Sequence, residues 1–363
     1  MKVVDVLAIG LAAMAALVPV GASAFDNPQA PALSATAIQR QAAELSGQAP
    51  ALNHLGMSGN PIHILPNLAG QAAREAAGLT GRTPSTVSLL TYHAGGSIMS
   101  SNVLIYNIYW LPSTAKLQNG TATSFSASYQ SINNGMAAQL PGHGLLAIAT
   151  QYYQTISSTT TYITNAGGLG GTYVDTAAYP ASGCTDSITP GNCVTDAQII
   201  TELKRVMALN GWTGGMNKIY MMYTSSGEGS CFATGSSSCA YTAYCAYHSY
   251  TTLNNSYVIY GNIPYGSQSY CQGSATMPNL DVGDLAANVA THEIIEAATD
   301  PLLNAWFDAG GNEIGDKCAW TFGTNSWTNP STNVGANLMY SGKYFEFQQE
   351  FSNHTSNCLL AGP

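Results

Sequence analysis

The chain has 363 residues, of which only 8% are Asp, Glu, Lys or Arg, with a formal charge of −9; a soluble domain ordinarily carries roughly 25%. Ten Lys and Arg over this length cannot neutralise a row of phosphates, so nucleic acid is excluded as a partner. Charge-driven disorder is excluded too, because the chain holds 21 Tyr and 5 Trp.

In chain order, the first element is a targeting segment. Lys2 opens it, Val6 to Val20 is apolar, and Ala22-Ser23-Ala24 forms an A-x-A cleavage site. The apolar run is short for a membrane span, which needs about 20 residues. Residues 1–24 are therefore read as a signal peptide, with a retained N-terminal anchor as the alternative. Cleavage removes Lys2 and Asp5 and leaves the net charge at −9. A secreted protein follows, with no membrane contact after cleavage.

Residues 25–85 are Pro-rich, with helical patches at Ala37–Ser46 and Asn67–Ala77. They read as a loosely structured extension and a candidate pro-segment. From Thr86 the pattern is that of one globular domain, 86–363. Val103–Leu111 (VLIYNIYWL) predicts a buried strand and Gly144–Thr155 a helix. Gly168-Leu169-Gly170-Gly171 has no following Lys-Ser/Thr and predicts a turn rather than a phosphate loop. Thr195–Asn210 predicts a helix, with Thr195 and Gln198 in a capping-box pattern and Gly211 as its stop. Lys218–Thr224 and Tyr257–Ile263 predict strands, and Ser225–Ser256 between them a disulfide-pinned loop. The fold class is α/β (α+β): a single mixed-sheet domain with disulfide-stapled loops.

All eight Cys lie after Gly183, and an even number in an exported chain reads as disulfides. Local pairing is expected: Cys184–Cys193, Cys231–Cys239, Cys245–Cys271 and Cys318–Cys358. Zinc–thiolate sites are the competing reading, but no CxxC pair exists.

The functional signal is a run of acids. Asp281, Asp284, Glu293, Glu296, Asp300, Asp308, Glu313 and Asp316 fall within 36 residues, and no Lys or Arg follows until Lys317. Asp281 and Asp284 suit the start of a helix, which Pro301 ends. One face of that helix carries Leu285, Val289, His292, Glu296 and Asp300, an apolar stripe that turns into an imidazole and carboxylates. Buried carboxylates must be paired, protonated or metal-bound.

His292-Glu293-x-x-Glu296 is a variant of the zincin motif H-E-x-x-H, in which ligands at i and i+4 share a helical face and the intervening Glu is the general base. The expected ligands are His292, Glu296 and Asp316, with Glu293 as catalytic base and Cys318 anchoring Asp316. Zinc is the expected metal and calcium the alternative; the competing reading is a hydrogen-bonded polar network. His93 beside Gly95 and Gly96, and His248 beside Cys245, read as packed core histidines. A Ser-His-Asp triad lacks the G-x-S-x-G elbow.

THEIIEAATDPLLNAWFD (Thr291 to Asp308) followed by NEIGDKCAW (Asn312 to Trp320) resembles microbial relatives of the phosphate-induced protein (Exordium) family. The likeness extends to YHAGGSIMSSNVLIYNIYW (Tyr92 to Trp110) and to YCAYHSY (Tyr244 to Tyr250), and so covers roughly residues 86–320. It implies an extracellular or cell-wall-associated protein. In plants the family is linked to growth and has no established enzymatic activity. Plant members largely lack the His-Glu-x-x-Glu residues, so this chain departs from them at 292–296. Two functions are expected. One is a secreted metallopeptidase-like hydrolase acting on extracellular peptide or a cell-wall polymer. The alternative is a non-catalytic surface protein whose acidic cluster is structural or binds calcium.

Overall fold

The computed structural model describes residues 52–56, 59–83 and 86–362. The expected signal peptide over 1–24 and the expected helical patch Ala37–Ser46 lie outside these residues.

The frame is a seven-stranded mixed sheet. Its strands are β1 (Asn53–Leu55), β2 (Pro61–Pro66), β3 (Val103–Trp110), β4 (Gly167–Asp175), β5 (Lys218–Thr224), β6 (Tyr244–Leu253) and β7 (Ser256–Ile263), in the spatial order β1-β2-β6-β7-β5-β3-β4. The β7–β5–β3–β4 half is parallel, and the β1–β2–β6–β7 half is antiparallel. The α+β class read from the sequence is the one observed.

Four helices pack with the sheet: α1 (Leu68–Ala76), α2 (Tyr129–Gln139), α3 (Asp196–Asn210) and α4 (Gly283–Thr299). Asn67 caps α1 through a side-chain bond from the Gly70 amide. The predicted capping box on α3 is present, and Gly211 ends that helix at φ +65° in the left-handed conformation. Among the described residues, no helix is long and apolar enough to cross a membrane.

Three predicted segments differ. Gly144–Thr155 is helical only over Gly144–Ala147, continues as a 3₁₀ turn to Gln151, and is extended from Tyr153 to Ile156. The Tyr, Thr and Ile side chains of its second half favour the strand. The glycine run at 168–171 is not a turn but the start of β4. A Cβ at Gly170 would stand 2.6 Å from the Tyr106 ring, and one at Gly171 would stand 2.8 Å from Trp212. Glycine is needed there so that a strand can pass under two aromatic rings.

The third difference decides the site. Residues 225–256 are not all loop, because Tyr244–Leu253 forms β6, an inner strand paired on both sides. The expected extension also enters the sheet. Pro61–Pro66 pairs with β6, and Ile62, Ile64 and Leu65 are buried in the main core. Residue 86 therefore does not mark where the sheet begins.

The four expected disulfides are all formed: Cys184–Cys193, Cys231–Cys239, Cys245–Cys271 and Cys318–Cys358. The first two touch each other, with Cys193 Sγ 3.4 Å from Cys231 Sγ.

Candidate metal centre

Helix α4 is buried along its whole length, which its run of Ala and other small or apolar residues allows. The Asp281 carboxylate accepts from the Gly283 and Ser128 amides, tying the helix start to the turn before α2. Asp284 accepts from Asn279 through both oxygens. These two acids are structural, as expected. So is Asp308, which pairs with the buried Lys317 at 3.3 Å.

The other five acids of the run converge. Glu293, Glu296 and Asp300 come from the end of α4, and Glu313 and Asp316 from a loop folded over it. The loop is held by the Asp316 amide donating to Glu296 Oε1 (3.0 Å) and the Glu313 amide donating to Asp316 Oδ2 (2.7 Å). The Cys318–Cys358 disulfide anchors its far end. Glu350, distant in sequence, is a sixth buried carboxylate whose oxygens both lack partners.

Three imidazoles meet these acids. His292 Nε2 lies 3.0 Å from Glu296 Oε1, the i, i+4 pair of the motif, but is not aligned for a hydrogen bond. The sequence reading did not include His63 and took His248 for a packed core residue. They face each other across the antiparallel β2–β6 pair, with ring centroids 5.5 Å apart. Directly opposed residues share one face of a sheet, and here that face looks onto α4. His248 Nδ1 is 2.9 Å from Glu293 Oε2, and His63 Nε2 is 2.8 Å from Asp316 Oδ2. The signal available was a lone His inside each of two apolar runs, PIHILP and YCAYHSY. His93 stacks on Phe307 with centroids 3.6 Å apart and bonds the Ala305 carbonyl, a packing role as expected.

Three triads of possible ligands result: His292–Glu296–Asp316, His63–Glu296–Glu313 and His248–Glu293–Glu296, each with donor atoms within 4.8 Å of one another. Donors about 2.0–2.2 Å from a shared ion lie up to roughly 4.4 Å apart, so contraction by a few tenths of an ångström suffices. The first triad is the ligand set expected from the sequence.

Two of the imidazoles are held in the form that binds a cation. Burial lowers the pKa values of His292 and His248 and so favours neutral imidazoles, the ligand form. His63 is different: burial lowers it, but the Asp316 carboxylate overrides this and lifts it to about 9. Burial pushes Glu296 and Glu313 far up, with neighbouring carboxylates adding to the shift. Among the described residues, only the imidazoles offer positive charge to these acids within ion-pair distance. The nearby basic groups are engaged elsewhere, Lys317 with Asp308 and Arg74 with Asn312.

The fit to a metal rests on orphaned atoms. His248 Nε2, both nitrogens of His292, Glu293 Oε1, Glu296 Oε2, Glu313 Oε2 and Asp316 Oδ1 are buried without hydrogen-bond partners. A buried polar atom left unsatisfied costs about 1–3 kcal/mol, and more if charged. Seven of them on six residues form a donor set.

A cleft of about 490 Å³ reaches the cluster. Asp300 and Glu313 form part of its lining, with His54, Leu55, Pro61 and Phe307 among the other residues. The β1–β2 hairpin is thus one wall and the loop after α4 the other. Comparison with family models, with curated proteins and with solved structures found no match for this chain.

Proposed function

We propose that the chain is a secreted, metal-dependent, metallopeptidase-like hydrolase acting on extracellular peptide or cell-wall material. The carrying observation is Glu296, a buried carboxylate common to three His/carboxylate triads, whose Oε2 has no hydrogen-bond partner. His292, Glu296 and Asp316 hold the ion. Three imidazoles in the cluster favour zinc over calcium, which takes oxygen ligands. A divalent ion there supplies Lewis-acid polarisation and a water acidic enough to lose a proton near neutral pH.

The chain's own residues supply the rest. Glu293 Oε2 is held by His248, which leaves Oε1 free to take a proton as general base. The cleft wall of Leu55, Pro61 and Phe307 offers apolar contact to a substrate, within the 300–1,000 Å³ size range usual for ligand pockets. Export is supported by the A-x-A segment and by the four disulfides, which persist in oxidising compartments.

A second reading follows from the complete burial of the donors. In it the cluster holds a structural ion, calcium included, in a non-catalytic wall or surface protein of the Exordium type. Elemental analysis of the purified chain, with peptidase assays on a mixed peptide library, separates the two. Zinc lost in His292→Ala, together with hydrolysis lost but zinc kept in Glu293→Gln, supports the hydrolase. Calcium unaffected by Glu293→Gln, without hydrolysis, selects the second reading. A metal-free protein with unchanged stability in both variants overturns both.

A further inference from the structure

We propose that the centre holds two divalent cations bridged by Glu296, a reading that rests on the metal site described above. The three triads share Glu296 and nothing else: His292 and Asp316, His63 and Glu313, and His248 and Glu293 are otherwise separate. One tetrahedral ion uses four ligands, and seven side chains are assembled here.

The two oxygens of Glu296 face different partners. Oε1 lies 3.0 Å from His292 Nε2 and accepts from the Asp316 amide. Oε2 lies 3.7 Å from His248 Nδ1 and 4.0 Å from His63 Nε2, and has no hydrogen bond. This is how a bridging carboxylate is placed, with one oxygen for each ion. Glu313 completes the second group with His63 and Glu296, its Oε1 lying 3.4 Å from His63 Nδ1 and its Oε2 3.8 Å from His248 Nε2. The first ion is therefore assigned to His292, Glu296 Oε1 and Asp316. The second is assigned to His63, Glu313 and Glu296 Oε2, with His248 beside it. Paired hydrolytic ions stand about 3.5–4 Å apart, a spacing one carboxylate can span.

Charge points the same way. The triads contain the carboxylates of Glu293, Glu296, Glu313 and Asp316. Once all four are ionised as ligands, one divalent ion balances two of them and two ions balance all four. Uncompensated buried charge is costly; Lys317 pairs with Asp308, and Arg74, whose hydrogen bond goes to Asn312, reaches Asp316 only through space.

The test is made on the full, disulfide-intact chain, stripped with chelator and titrated with Mn²⁺. Two ions per chain, with an exchange-coupled spin-resonance signal from the unmodified protein, are expected. His63→Ala should then bind one ion and give an isolated-ion signal. One ion per chain in the unmodified protein overturns the two-ion proposal and leaves the single-metal reading standing. Two ions without coupling overturn the bridge through Glu296. No bound ion overturns both readings. The unmodified chain gives the deciding result, so the proposal stays testable even where His63→Ala does not fold.

Discussion

Glu293 Oε2 lies 2.9 Å from His248 Nδ1, so the residue in the general-base position of α4 is also the one that orients a histidine on β6. Outer partners of this kind fix the tautomer and direction of a ligating imidazole. The two roles separate by substitution. Glu293→Gln keeps an acceptor for the His248 N–H and removes the base. Hydrolysis should fall by about 10²–10⁴-fold, while metal content and melting temperature stay near those of the unmodified chain. Glu293→Ala should lower metal content as well. Equal metal loss in both variants would show that the carboxylate is a ligand rather than a base.

Stability should fall with rising pH. Burial pushes the Glu228 carboxyl up to about 8, and those of Asp284 and Glu346 up to about 7. In the unfolded chain such groups release their protons near about 4. The stability they contribute is complete below that pH and is lost as pH rises through about 7 to 8. Asp308 has the opposite sign. Burial raises it, but Ser88, Asn312 and Lys317 hold it below its usual value, and its contribution fades in acid. Thermal melts in chelator should show the midpoint dropping between about pH 5 and 8, less steeply in Glu228→Gln. A midpoint that climbs over that range would contradict this account.

The run of acids from Asp281 to Asp316 was the most legible feature of the sequence. In a chain this poor in Lys and Arg, the run from Glu293 to Asp316 could be read as ligand-bearing because helical periodicity places His292 and Glu296 on one face. The four disulfides were legible because each Cys pairs with a neighbour in sequence. His63 and His248 were not, for a physical reason. They meet only through the β2–β6 register, which joins residues 185 positions apart, and local pattern carries no information on strand partners. The Ser/Thr/Tyr-rich composition around β6 also suggested loop, although Tyr and Thr suit an inner strand. Glu350 entered the cluster unannounced for a similar reason, since it lies well outside the acidic run.

Gly315 should tolerate no side chain. A Cβ there would stand 2.5 Å from His292 Nδ1 and 3.0 Å from Glu296 Oε1. Its φ of −77° is ordinary, so the constraint is space rather than conformation. Gly315→Ala should push the loop or the imidazole aside and weaken metal binding about tenfold, equivalent to about 1.4 kcal/mol. Competition titration against a chromogenic chelator reads this directly. Unchanged affinity would mean that His292 has slack and does not ligate in this position.

The Cys318–Cys358 bond spans 40 residues and closes two positions from Asp316. Replacing both cysteines by Ala should cost about 2–5 kcal/mol, as for other native disulfides. It should also weaken the metal site, because the loop carrying Glu313 and Asp316 loses its anchor. The Cys184–Cys193 pair lies in a separate buried cluster with Cys231 and Cys239 and makes the control, with lowered stability but unchanged metal affinity. If both double variants lose metal equally, the effect is global destabilisation and not anchoring.

Finally, the segment before residue 86 should prove indispensable. β2 covers one side of β6 through five paired positions, buries Ile62, Ile64 and Leu65, and carries His63 into the cluster. Without it the β6 backbone would lose its partners along that edge, and exposed strand edges invite aggregation. A chain beginning at Thr86 should therefore be recovered largely insoluble, with whatever remains soluble melting well below the full chain. The milder Ile64→Ala should cost about 2–5 kcal/mol, as other large-to-small core substitutions do, while leaving His63 in place. Measured together, the two variants separate packing from ligation: Ile64→Ala should melt early yet keep its metal. A soluble 86–363 fragment with full metal content and an unshifted melt would instead identify the segment as a removable pro-segment.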